Sequence, residues 1–351
     1  MEKQFLGNIN FRIKNETVSE SCPSNIALIK YWGKYENQIP ANPSISYTLN
    51  NCKTNTTMEF FADEEFSVQT FLAGNEEKKF AEKIEKYFKN IEQYLPWILK
   101  GKYIIHTENT FPHSSGIASS ASGFGAIAKC LMKLDEAFAG ETTEEELLKK
   151  ASFLARLGSG SACRSLYNGL VVWGNTKEVE GSSDLYAVPY PNEEIHSVFR
   201  SFNDWVLLIH EGEKSVSSTV GHGLMKTNPY AERRFQEAHE NFILLKNILK
   251  TGDLEGFIKL TEHEALTLHA MMMMSDPAFI LMKTGTLEVI NKIWDFRRIT
   301  GLPLFFTLDA GANVHLLFPS DIEADKIKIF IEQELLPFTQ KGGVVKDKMR
   351  F

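Results

Sequence analysis

One stretch constrains the fold of this chain more than any other, residues 109–125, Asn-Thr-Phe-Pro-His-Ser-Ser-Gly-Ile-Ala-Ser-Ser-Ala-Ser-Gly-Phe-Gly. A predicted strand from Tyr103 to His106 leads into it, and an Ala-rich helical pattern from about Ser115 to Leu134 leads out. Its small and hydroxyl side chains would let backbone N–H groups close around phosphate oxygens at a helix N-terminus. A serine-rich turn before an ordinary helix is the alternative, because the Gly-Lys-Ser/Thr ending of a P-loop is missing.

A second Gly/Ser-rich loop occupies residues 158–165, Gly-Ser-Gly-Ser-Ala-Cys-Arg-Ser. It follows a helix predicted from about Thr143 to Leu157, which begins at a threonine cap, and precedes a strand predicted from Leu166 to Trp173. Glycines allow the backbone to approach a ligand, and the guanidinium of Arg164 can grip a carboxylate or phosphate with two parallel hydrogen bonds. A plain connection with a surface arginine is the alternative.

A third segment, residues 25–34, reads Asn-Ile-Ala-Leu-Ile-Lys-Tyr-Trp-Gly-Lys and follows a predicted break at Cys22-Pro23-Ser24. An apolar run that ends in two lysines and two large aromatics predicts a strand that delivers Lys30 and Lys34 to an anion. Tyr31 and Trp32 would then form walls of the pocket. A buried strand with lysines that reach out to solvent is the other interpretation.

Asp309 ends an apolar strand, predicted from Leu304 to Leu308, and precedes an Ala-Gly turn. A carboxylate in that position is costly unless it is paired with a cation or used in chemistry, although an Asx turn would also account for it. Hydroxyl side chains crowd again at residues 215–219, just before a helical pattern.

The remaining pattern mixes predicted strands with predicted helices. The pattern loosens around residues 191–203, so we predict two domains, 1–197 and 198–351. Further predicted strands are 46–49, 55–61, 66–72, 205–210 and 313–318, and further predicted helices are 76–94, 228–250, 254–274, 278–300 and 322–336.

Composition narrows the class of protein. A formal net charge of -7 argues against nucleic-acid binding but permits a local basic pocket for a small anion. The four cysteines form no C-x-x-C pair, and Thr267 stands where H-E-x-x-H would need its second histidine, so no zinc site is expected. No window suits a signal peptide or a membrane span, which predicts a cytoplasmic protein.

Taken together, these segments closely resemble the diphosphomevalonate decarboxylases of the GHMP kinase superfamily. Tyr-Trp-Gly-Lys at 31–34 together with Gly-Ser-Gly-Ser-Ala-Cys-Arg at 158–164 is highly specific, whereas the phosphate loop alone would fit any GHMP kinase. Asp309-Ala310-Gly311 and Val-Ser-Ser-Thr at 216–219 also match, and the order fits over nearly the whole chain.

The resemblance implies a two-domain α+β fold, with a ribosomal-protein-S5-like N-terminal domain, a ferredoxin-like C-terminal domain and an active-site cleft between them. It implies that ATP phosphorylates the C3 hydroxyl of mevalonate 5-diphosphate, after which phosphate and CO2 leave to give isopentenyl diphosphate for isoprenoid biosynthesis. It further implies a homodimer that uses Mg2+ and binds neither nucleic acid nor membrane.

The resemblance also implies roles for individual residues. Asp309 would face the C3 hydroxyl, Lys30 would neutralise nearby charge, and Ser159 with Arg164 would orient the C1 carboxylate. Substrate contacts would come from Tyr31, Trp32, Gly33, Lys34, Ser159, Gly160, Ser161, Ala162, Cys163, Arg164, Ser218 and Thr219. Nucleotide contacts would come from Pro112, Ser115, Gly116, Ala118, Ser119 and Ser120, and the Ser120 hydroxyl would also hold Mg2+.

Several positions depart from the family pattern. His113-Ser114-Ser115 replaces the common Thr-Ala-Ala, and Ala312, Asn168 and His222 replace the common Pro, Gly and Met. A basic residue that often assists the diphosphate has Lys78 or Lys79 as its nearest candidates. A decarboxylase of mevalonate 5-phosphate, or a GHMP kinase that stops after phosphorylation, therefore remains the alternative. A non-catalytic binding protein is disfavoured, because it would not need all four of the charged residues Lys30, Lys34, Arg164 and Asp309.

Overall fold

The computed structural model describes residues 2–62, 64–112, 117–210, 212 and 216–349, which form a mixed α+β fold with two sheets. The strands are β1 (Glu16–Ile29), β2 (Ser44–Phe61), β3 (Ser67–Leu72), β4 (Asn75–Glu76), β5 (Lys102–Asn109), β6 (Leu170–Trp173), β7 (Ala187–Pro189), β8 (Phe202–Leu207), β9 (Phe305–Leu308), β10 (Val314–Pro319) and β11 (Val344–Lys348). The α-helices are α1 (Lys78–Ile91), α2 (Ser119–Ala139), α3 (Glu144–Gly158), α4 (Ser218–Leu224), α5 (Ala231–Thr251), α6 (Leu254–Met273), α7 (Thr284–Thr300) and α8 (Ala324–Phe330).

The first sheet has seven strands in the order β4-β3-β5-β2-β6-β7, with β1 also paired to β2. The long strand β2 therefore pairs with β1, β5 and β6 at different points along its length. Helices α1, α2 and α3 pack against this sheet, because Phe88, Phe124 and Phe153 share one buried core with Phe60 and Tyr103. This packing fixes α2 against β1, and the Ser24 hydroxyl of β1 donates to the carbonyl oxygen of Ala118, just before α2, at 3.3 Å.

The strands of the first sheet are longer than the sequence predicts. The predicted break at Cys22-Pro23-Ser24 is wrong, because a register shift after Pro23 lets β1 run through the proline. The predicted strands 46–49 and 55–61 are one strand, β2. The carboxylate of Asp347 accepts hydrogen bonds from the N–H groups of residues 50–52, and this contact from the far end of the chain carries β2 across its polar middle.

Helix boundaries follow their local signals where such signals exist. Thr143 and Glu146 form the capping box that opens α3, as predicted. The strand predicted from Leu166 begins only at Leu170, because Gly160–Leu166 forms a 3-10 segment. The helix predicted from 278 begins at Thr284, where the Thr286 hydroxyl accepts a hydrogen bond from the N–H of Lys283.

The second sheet has four antiparallel strands in the order β11-β8-β10-β9. A shared core joins it to the first sheet, since Ile26 and Tyr47 pack in one cluster with Phe242, Phe257 and Phe305. The ends of β1 and β9 consequently open into the same space. Within the described ranges, no helix combines the length and apolar content that crossing a membrane would require.

Candidate active site

A cavity of about 600 Å3 lies where the end of β1, the start of α2, the 3-10 segment Gly160–Leu166, the start of α4 and the end of β9 converge. Residues of β1, of the turn after β9 and of five helices, α1, α2, α3, α4 and α6, therefore line one space. Fourteen of the predicted site residues are in its lining: Lys30, Tyr31, Trp32, Lys34, Ala118, Ser119, Ser120, Ser159, Gly160, Ser161, Arg164, Ser218, Thr219 and Asp309.

Four other predicted site residues lie outside the lining, namely Gly33, Pro112, Ala162 and Cys163, and the predicted nucleotide contacts Ser115 and Gly116 fall outside the described residues. Cys163 supports the loop rather than the cavity: it is fully buried and its thiol donates to the carbonyl oxygen of Gly160 at 3.0 Å. Burial raises the pKa of that thiol to about 12, which leaves it unreactive. Glycine is needed at 160, because a Cβ there would lie 2.8 Å from the Tyr31 hydroxyl.

Arg164 is a buried cation whose protein partners are neutral. Its guanidinium donates to the hydroxyls of Ser46 at 2.9 Å and Ser44 at 2.5 Å and to the side-chain oxygen of Asn25 at 3.4 Å. In the described part of the chain no carboxylate forms an ion pair with it, and burial lowers its pKa. A buried cation held in this way is costly unless an anion completes the site.

Lys30 is a second buried cation in the cavity wall. Its backbone N–H donates to the Glu264 carboxylate at 2.9 Å, and its carbonyl oxygen accepts from Asn42 at 3.0 Å, so the backbone is fixed on both sides. Its Nζ has no hydrogen-bond partner among the residues that the structure places. Burial lowers the pKa of the ammonium to about 8, against the opposing attraction of the Asp309 carboxylate.

Asp309 follows the fully buried strand β9 directly, as the sequence predicts. Its backbone oxygen accepts hydrogen bonds from His269 Nε2 at 3.1 Å and from the N–H of Gly311 at 2.7 Å. The turn is therefore held from helix α6 as well as from its own glycine. Its carboxylate attracts the charges of both Lys30 and Arg164, so one acid acts on two buried cations.

Tyr31, Trp32 and His222 form an aromatic wall. The His222 ring centroid lies 4.3 Å from that of Tyr31 and 4.6 Å from that of Trp32. The N–H of Gly33 donates to His222 Nδ1 at 3.0 Å, and Gly33 itself has a φ of 108°, which favours glycine. The Tyr31 hydroxyl and the Trp32 indole nitrogen are buried, with no partner within the described ranges.

Two lysines, Lys34 and Lys83, also line the cavity. Burial, and then repulsion from Lys83, lowers the pKa of Lys34, and the Lys34 ammonium donates to Gln38 at 2.7 Å. Lys78 and Lys79 are absent from the lining, whereas Lys83, one turn further along α1, is part of it. Sequence reasoning missed Lys83 because only the packing of α1 against Phe124 brings it to the site.

The start of α2 supplies hydroxyl groups to a third side of the cavity. Ser120 donates to the Ser159 hydroxyl at 3.2 Å, which joins the two Gly/Ser-rich loops. Outside the masked positions, no cluster of three His, Cys, Asp or Glu residues could form a metal cage. That composition fits Mg2+ delivered with a nucleotide, because Mg2+ commonly takes one or two protein oxygens and completes its shell with phosphates and water.

Two family models match the chain. The diphosphomevalonate decarboxylase-like N-terminal domain matches residues 22–187, and the mevalonate 5-diphosphate decarboxylase C-terminal domain matches residues 205–348. The diphosphomevalonate decarboxylase of Saccharomyces cerevisiae is 30% identical over 331 residues, covering 90% of this chain and 81% of the yeast protein.

Solved structures are similar over almost the whole chain. A mevalonate diphosphate decarboxylase from Legionella pneumophila superposes with a TM-score of 0.78 at 30% identity, covering 94% of this chain and 100% of that one. A complex of a protein termed MDDEF with MVAPP, AMPPCP and magnesium has a TM-score of 0.81 at 26% identity, covering 96% and 98%.

Proposed function

We infer what this site does from one premise: the chain belongs to the diphosphomevalonate decarboxylase family. ATP-dependent decarboxylation of mevalonate 5-diphosphate is therefore its reaction. The observation in the structure that best supports this assignment is the pair of buried cations, Lys30 and Arg164, beside Asp309. An acidic protein that buries two such cations in one cavity needs an anionic substrate to complete the site.

We assign the carboxylate end of the substrate to Arg164, with Ser159 as a second donor. Ser44, Ser46 and Asn25 fix the guanidinium from behind, so its remaining N–H groups can grip a carboxylate in a planar, two-point contact. Binding the C1 carboxylate in this way also orients the bond between C1 and C2 that breaks when CO2 leaves.

We assign the diphosphate end to Lys34 and Lys83. Lys34 and Lys83 repel one another, and a polyanion between them would relieve that repulsion. The hydroxyls of Ser161, Ser218 and Thr219 add neutral donors, and the buried Tyr31 hydroxyl lacks a partner among the described residues. Selection of the 5-diphosphate over the 5-phosphate would follow, because one phosphate cannot satisfy all of these donors.

We propose that Asp309 acts on the C3 hydroxyl. A tertiary alcohol is a weak nucleophile, so a carboxylate in hydrogen-bond reach would orient it and take its proton while phosphate is transferred from ATP. The carbon–carbon bond to the carboxylate then breaks, its electron pair forms the double bond, and the 3-phosphate leaves. Lys30 keeps positive charge beside the oxygens that become negative in these steps.

The nucleotide would bind at the start of α2, where Ser119 and Ser120 present hydroxyls and the helix N-terminus favours phosphate. We propose that the Ser120 hydroxyl holds Mg2+ together with the ATP phosphates. The bound ion would neutralise phosphate charge during transfer.

The direct test of this function is incubation of the purified protein with ATP, Mg2+ and mevalonate 5-diphosphate. We expect CO2, ADP, phosphate and isopentenyl diphosphate in equal amounts. ADP without CO2 would instead identify a kinase that stops at phosphorylation, and turnover of mevalonate 5-phosphate alone would identify the related phosphomevalonate decarboxylase. Binding without any turnover would identify a non-catalytic protein.

We also propose that the chain consists of two domains, 1–197 and 198–351, and acts as a cytoplasmic homodimer. The separate sheets and the two separately matched regions support the domain division. Limited proteolysis with cleavage near residue 197 would test the boundary, and sedimentation equilibrium would test the dimer. Fractionation of the source cells would test the location.

A further inference from the structure

His222 lies in the cavity but has no part in the assignment above. It sits on α4, four residues after Ser218 and three after Thr219, so all three lie on one face of the helix. All three line the cavity. The surroundings of its ring determine what it can do there.

The Gly33 contact fixes the tautomer of the ring. Because a backbone N–H always donates, Nδ1 must accept the 3.0 Å hydrogen bond from Gly33 and therefore carries no proton. Burial, and then repulsion from Lys34, lowers the pKa of His222 to about 3, so the ring is neutral under working conditions. A neutral ring with a bare Nδ1 must carry its proton on Nε2.

The orientation of the ring is fixed as well. Tyr31 and Trp32 hold it on two sides, and the side chain is only 7% exposed. No described residue accepts a hydrogen bond from Nε2. The ring is thus a preorganised neutral donor in the same cavity wall as Ser218, Thr219 and Lys34, the residues assigned to the diphosphate.

We propose that His222 is a substrate-binding residue that donates a hydrogen bond from Nε2 to a phosphoryl oxygen of the substrate's diphosphate group. This inference rests on the proposed function of the site. A neutral donor strengthens binding of the polyanion without adding a third cation next to Lys34 and Lys83. It therefore contributes to affinity for the phosphorylated end of the substrate and takes no part in the chemistry at C3.

Two substitutions separate the ring nitrogens. His222→Asn keeps an amide oxygen near the position of Nδ1 for the Gly33 N–H but removes the distal donor. His222→Gln places an amide near Nε2 and can keep that donor. We expect the Asn variant to raise KM for mevalonate 5-diphosphate roughly 10- to 100-fold, as for loss of a hydrogen bond to a charged group, with kcat and KM for ATP nearly unchanged. The Gln variant should recover most of the lost affinity.

An equal loss of affinity for mevalonate 5-diphosphate in both variants, or an unchanged KM in the Asn variant, would overturn this inference. The proposed function would still hold in that case, provided that the wild-type protein releases CO2. A measurement on the wild-type chain covers the case in which a variant fails to fold. In 15N-histidine spectra the His222 ring should be protonated at Nε2, and this resonance should shift when mevalonate 5-diphosphate is added. An Nδ1-protonated ring, or no shift at saturating substrate, would contradict the assignment.

Discussion

The backbone N–H of Lys30 donates a 2.9 Å hydrogen bond to the carboxylate of Glu264, 234 residues further along the chain. The same buried carboxylate accepts from Asn241 at 2.6 Å and forms an ion pair with the buried side chain of Arg234 at 2.5 Å. Glu264 thus ties the end of β1 to helices α5 and α6. The position of Lys30 therefore depends on a contact between the two halves of the chain.

Glu264→Gln should destabilise the folded protein by about 3 kcal/mol, because it leaves the buried Arg234 guanidinium with only the Glu237 carboxylate, 3.9 Å away, as a counter-charge. Denaturant unfolding would measure the loss. The control is Glu240→Gln, which breaks an exposed pair with Arg233 and should leave the unfolding midpoint nearly unchanged. Equal effects at the two positions would show that the buried pair does not anchor the fold.

Arg164→Lys should lower kcat/KM on the order of 100-fold although the charge is kept, since an ammonium cannot replace the charge-assisted contacts of a planar fork. Steady-state kinetics with mevalonate 5-diphosphate would measure this. The exposed Arg233→Lys is the matched control and should behave as the wild type. Near-normal kinetics in the Arg164 variant would remove it from the substrate site.

Ser120 and Ser122 offer a contrast between function and stability on one helix. Ser120 is exposed to the cavity, whereas the buried Ser122 hydroxyl accepts from Thr54 at 2.6 Å. Ser120→Ala should reduce kcat with little change in melting temperature. Ser122→Ala should cost about 1 kcal/mol of stability and spare kcat. The reverse pattern would exclude the phosphate-binding role of Ser120.

The pH dependence of kcat/KM should show the loss of charge at Lys30. Its pKa is lowered to about 8, so the ammonium loses its proton, and its charge, as pH rises through that value. If the charge serves catalysis, kcat/KM should fall above about pH 8. In the pH profile of kcat the same fall in activity should occur at higher pH, because bound anionic substrate raises the pKa of Lys30 again. Lys30→Arg should remove this fall from both profiles, even if overall activity is lower. A fall that persists in the Arg variant belongs to another group.

Local signals in the sequence predicted those parts of the fold that local chemistry determines. The capping box at Thr143, the strand end before Asp309 and the Gly/Ser-rich connection at 158–165 each depend on a few neighbouring residues. The continuous strand β2 was missed because Asp347, from the opposite end of the chain, satisfies its backbone there. A contact between residues so far apart in the chain cannot be predicted from the pattern of neighbouring residues.

The site residues show the same difference between what a local pattern predicts and what only the folded chain brings together. The motifs predicted Lys30, Arg164 and Asp309 as site residues, because a charged side chain is unusual at the end of an apolar strand or in a glycine-rich loop. Lys83 was missed because it lies on the polar face of an amphipathic helix, where lysine is ordinary. Neither motif nor spacing revealed that Arg164 has Ser44, Ser46 and Asn25 behind it, since these residues meet it only in the folded sheet.

The most direct measurement is the rate of CO2 release by Asp309→Asn, followed together with the amount of 3-phosphorylated intermediate. The amide keeps the size of the side chain but loses its basicity and charge, so CO2 release should fall by at least roughly 10²–10⁴-fold while folding and ATP binding persist. Phosphorylation and CO2 release should fail together, because the 3-phosphate is the leaving group. Accumulation of the phosphorylated intermediate at the normal rate would move Asp309 to the elimination step, and normal CO2 release would contradict its catalytic role.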